Sequence, residues 1–422
     1  MKRPAKVLIG VGVALLVATV GWSPLVVPRL VKLPGDINRT DHYSGTFVTF
    51  VDQSSGATLA SPLVVPLTID RHVASVPGAT TAHVSLLHET ITAHMGANTV
   101  VQQNVYAVDR RSMQNIADPR AWTFTPGNVV DRSGTYYLTL AMGVHPTGVS
   151  IKVWKPEAGA SYPVTSTTPA KGVAASSRVV YLKGNIPSPL PVPPYEAAAL
   201  TAQGLPMQLS PAQAGARLAA AGVNTAALLP VLARTLSAQE LAPVSAAVTA
   251  PVALHYFVYG HGLLAVEPTT GGLVQLSGIV DGIAVQPDTR AISTALTVLT
   301  RHQNVPAIAS LVTTLEQTVA APPQPVYELR YTQTPASVVA AASYAHAQAG
   351  RVTLATTTLP RVLLALAVLS LLVDRLGRRG DRLLERLDER GDGGHVLVAA
   401  EHRQGRGDRS RVRLDGDPVD DA

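Results

Sequence analysis

The sequence predicts an α+β protein: a β-rich antiparallel extracytoplasmic domain with an inserted helical subdomain, flanked by N- and C-terminal transmembrane helices. Three observations carry this reading. Two apolar runs stand near the ends of the 422 residues, one behind Lys2, Arg3 and Lys6, the other stopping at Asp374, Arg375, Arg378, Arg379 and Arg382. Between them lie repeated short runs of Val, Thr, Ile and Tyr, which suit a pleated, half-buried surface. From Tyr195 to Ala250 the chain turns to alanine and leucine with helix start signals.

The first apolar run, from Val7 to Val27, spans about 21 residues, roughly 31 Å of helix, which matches a hydrocarbon core. Trp22 stands where interfacial aromatics sit, and Pro24 and Pro28 mark the outer end. A cleaved signal peptide is the rival reading; no clean A-x-A site follows the run, so an uncleaved anchor is favoured. Gly10, Ala14 and Ala18 recur at every fourth residue. Such a stripe lets a second helix pack closely, although small residues are also simply common here.

The second run reads VLLALAVLSLLV over 362–373 and reaches spanning length when extended upstream to Val352. The extension takes in Thr356, Thr357, Thr358, Pro360 and Arg361; threonines bond back to their own helix and an arginine snorkels or faces a partner. Lys2, Arg3, Lys6, Arg375, Arg378 and Arg379 are the topology determinants. They place both termini in the cytoplasm and the bulk of the chain outside a plasma membrane crossed twice. The expected segments are a cytoplasmic start (1–6), a first span (7–28), a β-rich half (29–185) and a Pro-rich connector (186–195). A helical insertion (196–250), a region of hairpin and helices (251–351), a second span (352–373) and a charged cytoplasmic tail (374–422) follow.

Composition agrees. Charged residues are only 15%, against about a quarter in soluble domains. Cysteine is absent, so neither disulfides nor thiolate chemistry is available. The net charge of +6 is spread along the chain or flanks the apolar runs, and no nucleic-acid surface is expected.

Strands are predicted at 46–51, 63–69, 83–94 and 99–108, with Met95-Gly96-Ala97-Asn98 as a hairpin turn. Further strands are expected at 136–142, 149–154 and 178–183. Five prolines in nine residues at 186–194 force extended, semi-rigid chain. Ser210-Pro211 reads as an N-cap with Pro at the first helical position, Asn224 as the cap of another helix, and Ser237 with Glu240 as a capping box. Strands return at 252–259 and in the strand-turn-strand of 263–274. Asp288 caps a helix to about His302, a second helix covers 305–319, and a strand at 326–331 precedes a helix at 335–348.

These features resemble an actinobacterial membrane family described as PorA-type porins. The resemblance rests on the 7–33 anchor running into VVPRLVKLP, the VYAVD segment at 105–109, the LAVEPTTGGLV hairpin at 264–274 and the 331–363 stretch. It implies an envelope protein with two anchors and an outward β-rich domain. The porin name does not follow from these residues, since a bilayer-spanning barrel needs strands of about ten residues with an apolar lipid-facing side. The layout also looks like that of the lipid-binding scavenger receptors.

Candidate sites are few. His72, His83, His88 and His94, with Glu89 among them, have the chemistry for zinc. The spacing is not H-E-x-x-H, and His88 and His94 would lie about 20 Å apart on a strand, so a partly exposed strand face is the better reading. Tyr259-Gly260-His261-Gly262 reads as a tight turn, and Gly271-Gly272 lacks the strand-to-helix setting of a phosphate loop. No Ser-His-Asp set or G-x-S-x-G is found, and no cofactor is expected. Arg406-Gly407-Asp408 falls on the cytoplasmic side. The apolar faces of the helices at 212–248 either pack on the sheet, the favoured reading, or line a cavity for an acyl chain. The expected function is non-enzymatic: the external domain binds or relays an apolar, lipid-like ligand of the envelope. The alternatives are a scaffolding subunit that assembles as a homo- or hetero-oligomer, and a pore.

Overall fold

A computed structural model describes residues 3–22, 27, 31–52, 58–137, 150–220, 222–223 and 225–391. It divides into two compact units, one of residues 19–362 and one of residues 1–18 with 363–422. Lys2, the predicted cap Asn224 and the Arg406-Gly407-Asp408 tripeptide lie outside the described residues, as does most of the strand predicted at 136–142.

The larger unit is built on a 13-stranded antiparallel sheet. Its strands are β1 (Asn38–Val51), β2 (Thr58–Ser75), β3 (Val84–Met95), β4 (Asn98–Asp109), β5 (Trp122–Thr123), β6 (Ser150–Lys155), β7 (Ala160–Ala174), β8 (Ser177–Asn185), β9 (Leu190–Pro191), β10 (Gln208–Leu209), β11 (Val252–Val266), β12 (Leu273–Pro287) and β13 (Gln324–Gln333). The order is β5-β4-β3-β2-β1-β13-β12-β11-β8-β7-β6, with β9 and β10 paired to β11. The long strands follow from period-two patterning joined by tight hairpins. At 95–98 Met95 pairs with Asn98, and Gly96 adopts φ +61°, which a side chain resists. In the β11–β12 turn the Glu267 carboxylate folds back to accept from Thr269 N and from Thr270 N and Oγ1 at 2.7–3.0 Å.

The sheet curls until its ends meet. Val108 of β4 bridges Asn115, Asn115 exchanges backbone bonds with Gly134 and Thr135, and Tyr136 bridges Val153 of β6. Hydrogen bonds therefore run in a closed circuit, which leaves few bare edges. Trp154 of β6 is buried against Val73, Leu87, Tyr106 and Val108 from the far end of the strand order.

Two expectations are corrected here. Tyr259-Gly260-His261-Gly262 is not a turn but the middle of β11. The register shifts between His261 and Leu263, and a Cβ on Gly262 would stand 2.2 Å from Ile279 Cδ1. The glycines mark a bulge where two strands press together. Among the described residues, the helices at 212–248 do not line the cavity, and their apolar faces pack mainly on other helices, the first of them touching the sheet at β10. Helices α3 (Pro211–Ala220), α4 (Thr225–Thr235) and α5 (Ala238–Thr249) join α6 (Arg290–Leu299) and α7 (Pro306–Ala320) in a bundle. Its core holds Leu232, Leu236, Val244, Leu299, Ile308 and Val312. The capping box forms as expected, with Ser237 Oγ accepting from Glu240 N and Ser237 N donating to Glu240 Oε2.

The remaining helices are α1 (Arg3–Gly21), α2 (Pro194–Ala202), α8 (Pro335–Thr353) and α9 (Leu359–Gly391). The proline connector delivers α2. On the outward face of the sheet, Val338, Ala342 and Ala345 of α8 pack on Val179, Ala265 and Val274. A π-turn, Leu354–Thr358, joins α8 to α9. In its i→i−5 register Pro360 would answer Ala355, but proline has no N–H. The Trp22 indole donates to the Ala355 carbonyl instead, at 2.7 Å. Among the described residues one helical stretch, Pro335–Val373, is long and apolar enough to cross a membrane. Leu364, Leu366, Leu369, Leu372 and Val373 on it are uncovered, and Thr356 and Ser370 bond back to carbonyls four residues earlier.

Candidate functional site

Cross-strand partners share a face, so the register sorts the sheet into two sides. One side carries Thr40, His72, Thr90 and Gln103 in a row, then His42, Asp70, Thr92 and Val101, then Ser44, Thr68, His94 and Thr99. These are mostly exposed polar groups. The other side carries Tyr43, Ile69, Ala93 and Val100, then Gly45, Leu67, Met95 and Asn98. It faces a lumen of about 830 Å³, within the range of small-molecule sites. Of the histidines, His72, His88 and His94 fall on the outward side, where His72 meets Asn38 at 2.8 Å and His94 meets Thr99 at 2.9 Å. His83 precedes β3. Glu89 points inward and is fully buried. The sequence reading grouped it with these histidines, but strand alternation places it on the opposite face.

The lumen wall has an apolar belt of Phe47, Ile69, Ile91, Met95, Leu276 and Leu329. Tyr43 meets Tyr331 edge-on at 5.6 Å and Phe47 tilts on Tyr327 at 5.5 Å. Charges are set into this wall in two places. In the first, Arg71 Nε donates to Glu89 Oε1 at 2.7 Å, while Asn104 and Tyr106 donate to Glu89 Oε2. Burial, the largest single influence, would lower the Arg71 pKa, but Glu89 together with Tyr137, Tyr43 and Asp41 outweighs it and holds the guanidinium well above its usual range. Arg71 also lies 5.1 Å over the Tyr137 ring.

In the second place, at the β6 end, Lys155 Nζ lies 2.8 Å from Asp281 Oδ1 and 3.2 Å from Glu157 Oε2. Tyr331 OH donates to Asp281 Oδ2 at 2.7 Å. Burial opposes the Lys155 charge, yet Asp281 and Glu157 together keep its pKa well above normal. Glu196, in the first turn of α2, belongs to the same wall. It is 4% exposed, and its Oε2 has no hydrogen-bond partner among the described residues. Burial, then repulsion from Glu157, pushes its pKa up to about 8.

None of Arg71, Lys155, Glu157, Glu196 or Asp281 was singled out from the sequence. A signal existed: Lys155 shares strand parity with Ile151 and Val153, and Asp281 with Ile279 and Ile283. A lone charge on the apolar side of a strand is either a mistake in register or a functional group. The predicted Gly10, Ala14 and Ala18 stripe lies on α1, where Ala14 and Ala18 are exposed. Arg3 and Lys6 open the same helix, and Arg375, Arg378 and Arg379 lie on α9.

A closed antiparallel sheet around a charged lumen, in a chain with one described helix long and apolar enough to cross a membrane, defines a β protein with a cavity-bearing domain. More narrowly, the chain belongs to the Porin PorA family, whose sequence model matches residues 4–374. No curated protein matches the chain.

Proposed function

We propose that this is a two-anchor envelope membrane protein whose lumen binds or relays an amphiphile with an apolar, lipid-like body, without catalysis. The sidedness of the sheet carries the proposal. On β1 to β3 the apolar side chains, among them Tyr43, Ile69 and Ala93, face a lumen of about 830 Å³, and the outward rows Thr40-His72-Thr90, His42-Asp70-Thr92 and Ser44-Thr68-His94 are polar. A barrel immersed in lipid needs the reverse, with the apolar side outward. Residues 7–27 and 352–373 are taken as the anchors, with Lys2, Arg3, Lys6, Arg375, Arg378 and Arg379 holding both termini in the cytoplasm. The test is solvent extraction of the purified full chain followed by lipid quantitation. About one amphiphile per chain is expected, and Ala93→Trp, which fills the lumen, is expected to lose it at least tenfold. Equal amounts from both proteins would sink the reading. For the topology, a tag at either terminus that reacts from outside intact cells would sink the two-anchor arrangement.

Membership of the Porin PorA family favours a second reading, conduction. It predicts unitary current steps from pure protein in planar bilayers; a silent bilayer ends it. A pore lined by several chains would need an oligomer, for which the exposed Ala14 and Ala18 face of α1 offers a close-packing surface. Crosslinking in membranes that returns only monomer removes that route.

A further inference from the structure

The β6 end of the lumen is unbalanced in charge. Three carboxyls, Glu157, Glu196 and Asp281, share the wall with one ammonium, Lys155. That ammonium is already committed, at 2.8 Å from Asp281 and 3.2 Å from Glu157. The other lumen cation, Arg71, is held by Glu89 at 2.7 Å. Among the described residues that line the lumen, an anionic headgroup would therefore meet carboxyls and no lysine or arginine free of a carboxylate partner; His261 is the one other basic side chain on the wall. Glu196 is different: buried to 4% exposure, on the lumen wall, with Oε2 unpartnered among the described residues. A buried polar atom without a partner costs free energy unless something fills the position. The Tyr162, Tyr327 and Tyr331 side chains line the same end, and tyrosine faces attract cations.

We propose that the lumen selects amphiphiles whose headgroup carries a cationic nitrogen, seated against the Glu196 and Glu157 carboxyls. This rests on the reading of the lumen as an amphiphile site and adds the charge of the headgroup. A coupling to protons follows. The groups that face Glu196 are Glu157 and Lys155 at the β6 end, Tyr327 of β13 and its neighbour Tyr195. With burial holding its pKa at about 8, Glu196 keeps its proton at neutral pH when the lumen holds no cation. A bound cation favours the carboxylate, so binding releases a proton and tightens as pH rises.

The test uses the full chain in neutral maltoside micelles with three eight-carbon ligands: octyltrimethylammonium, whose charge does not titrate, octanol and octanoate. Calorimetry at pH 6 and pH 9, with protein-free micelles subtracted, is expected to give octyltrimethylammonium at least tenfold tighter binding than octanoate. Its affinity is expected to rise severalfold from pH 6 to pH 9, a gain that Glu196→Gln abolishes. If octanol binds and the cation binds no tighter than octanoate, the headgroup assignment fails while the amphiphile site stands. If none of the three binds, both fall. Should Glu196→Gln not fold, proton release by the native chain decides: heats that do not depend on the ionisation enthalpy of the buffer overturn the coupling to Glu196.

Discussion

The helix bundle and the lumen wall are made from similar apolar residues and use them in opposite ways. In the bundle, Leu232, Leu299 and Ile308 fill one another's space and are at most 2% exposed, and among the described residues no charged side chain is buried with them. In the wall, Phe47, Ile91 and Leu329 remain partly exposed to an interior of about 830 Å³ that also holds Lys155, Glu196 and the Arg71–Glu89 pair. An apolar face that closes on itself contributes stability and little else. One that stays open and carries buried charge gives up some of that stability for a space something else can occupy.

The comparison breaks first at the ion pair. Glu89→Gln leaves the Arg71 guanidinium inside the sheet without its nearest counter-charge, and is expected to cost about 4 kcal/mol. Urea denaturation measures it, and a loss below about 1 kcal/mol would mean that water reaches the pair. Next is the pH response of Glu196. Its folded pKa of about 8 lies above the ordinary 4.5. Between those values the unfolded chain has given up a proton that the folded chain retains. Stability therefore falls as pH rises from about 4.5 to 8, by roughly 4 to 5 kcal/mol at 1.36 kcal/mol per pKa unit. Glu196→Gln is expected to flatten that slope; an unchanged slope would show that Glu196 is ionised in the folded protein.

Leu299→Ala in the bundle should cost about 3 kcal/mol, whereas Ile91→Ala in the wall should cost less than about 1.5, because Ile91 already borders open space. Equal losses would show that the wall is as tightly packed as the bundle. The smallest effect belongs to the bundle's surface. Ser237→Ala removes the capping box and is expected to cost about 1 kcal/mol with no change in ligand affinity.

Local chemistry was readable before the fold was. Met95-Gly96-Ala97-Asn98, the Glu267–Gly272 turn, Ser210-Pro211 and the Ser237–Glu240 box each announce themselves within a few residues, because the bonds that make them are short in sequence. Strand β7 was missed because Pro163, Gly172 and a serine- and threonine-rich middle lack the usual strand composition. The tyrosine–glycine run at 259–262 misled for the same reason: glycine marks a close approach as readily as a turn. What brings Asn115 and Tyr136 between β4 and β6, and what groups α3 to α5 with α6 and α7, are contacts between distant parts of the chain. No local pattern encodes them. The lumen charges were half visible, in their parity, but their meaning depends on the circuit closing.

The Trp22–Ala355 bond has a mechanical corollary. It fastens the first and last turns of the 19–362 unit to each other, so the chain goes in and comes out by one doorway. A pull on the two outer helices would load that clasp and not peel thirteen strands apart one after another. For the same reason the unit should survive being cut free and rejoined into a ring by a short bridge between those two points.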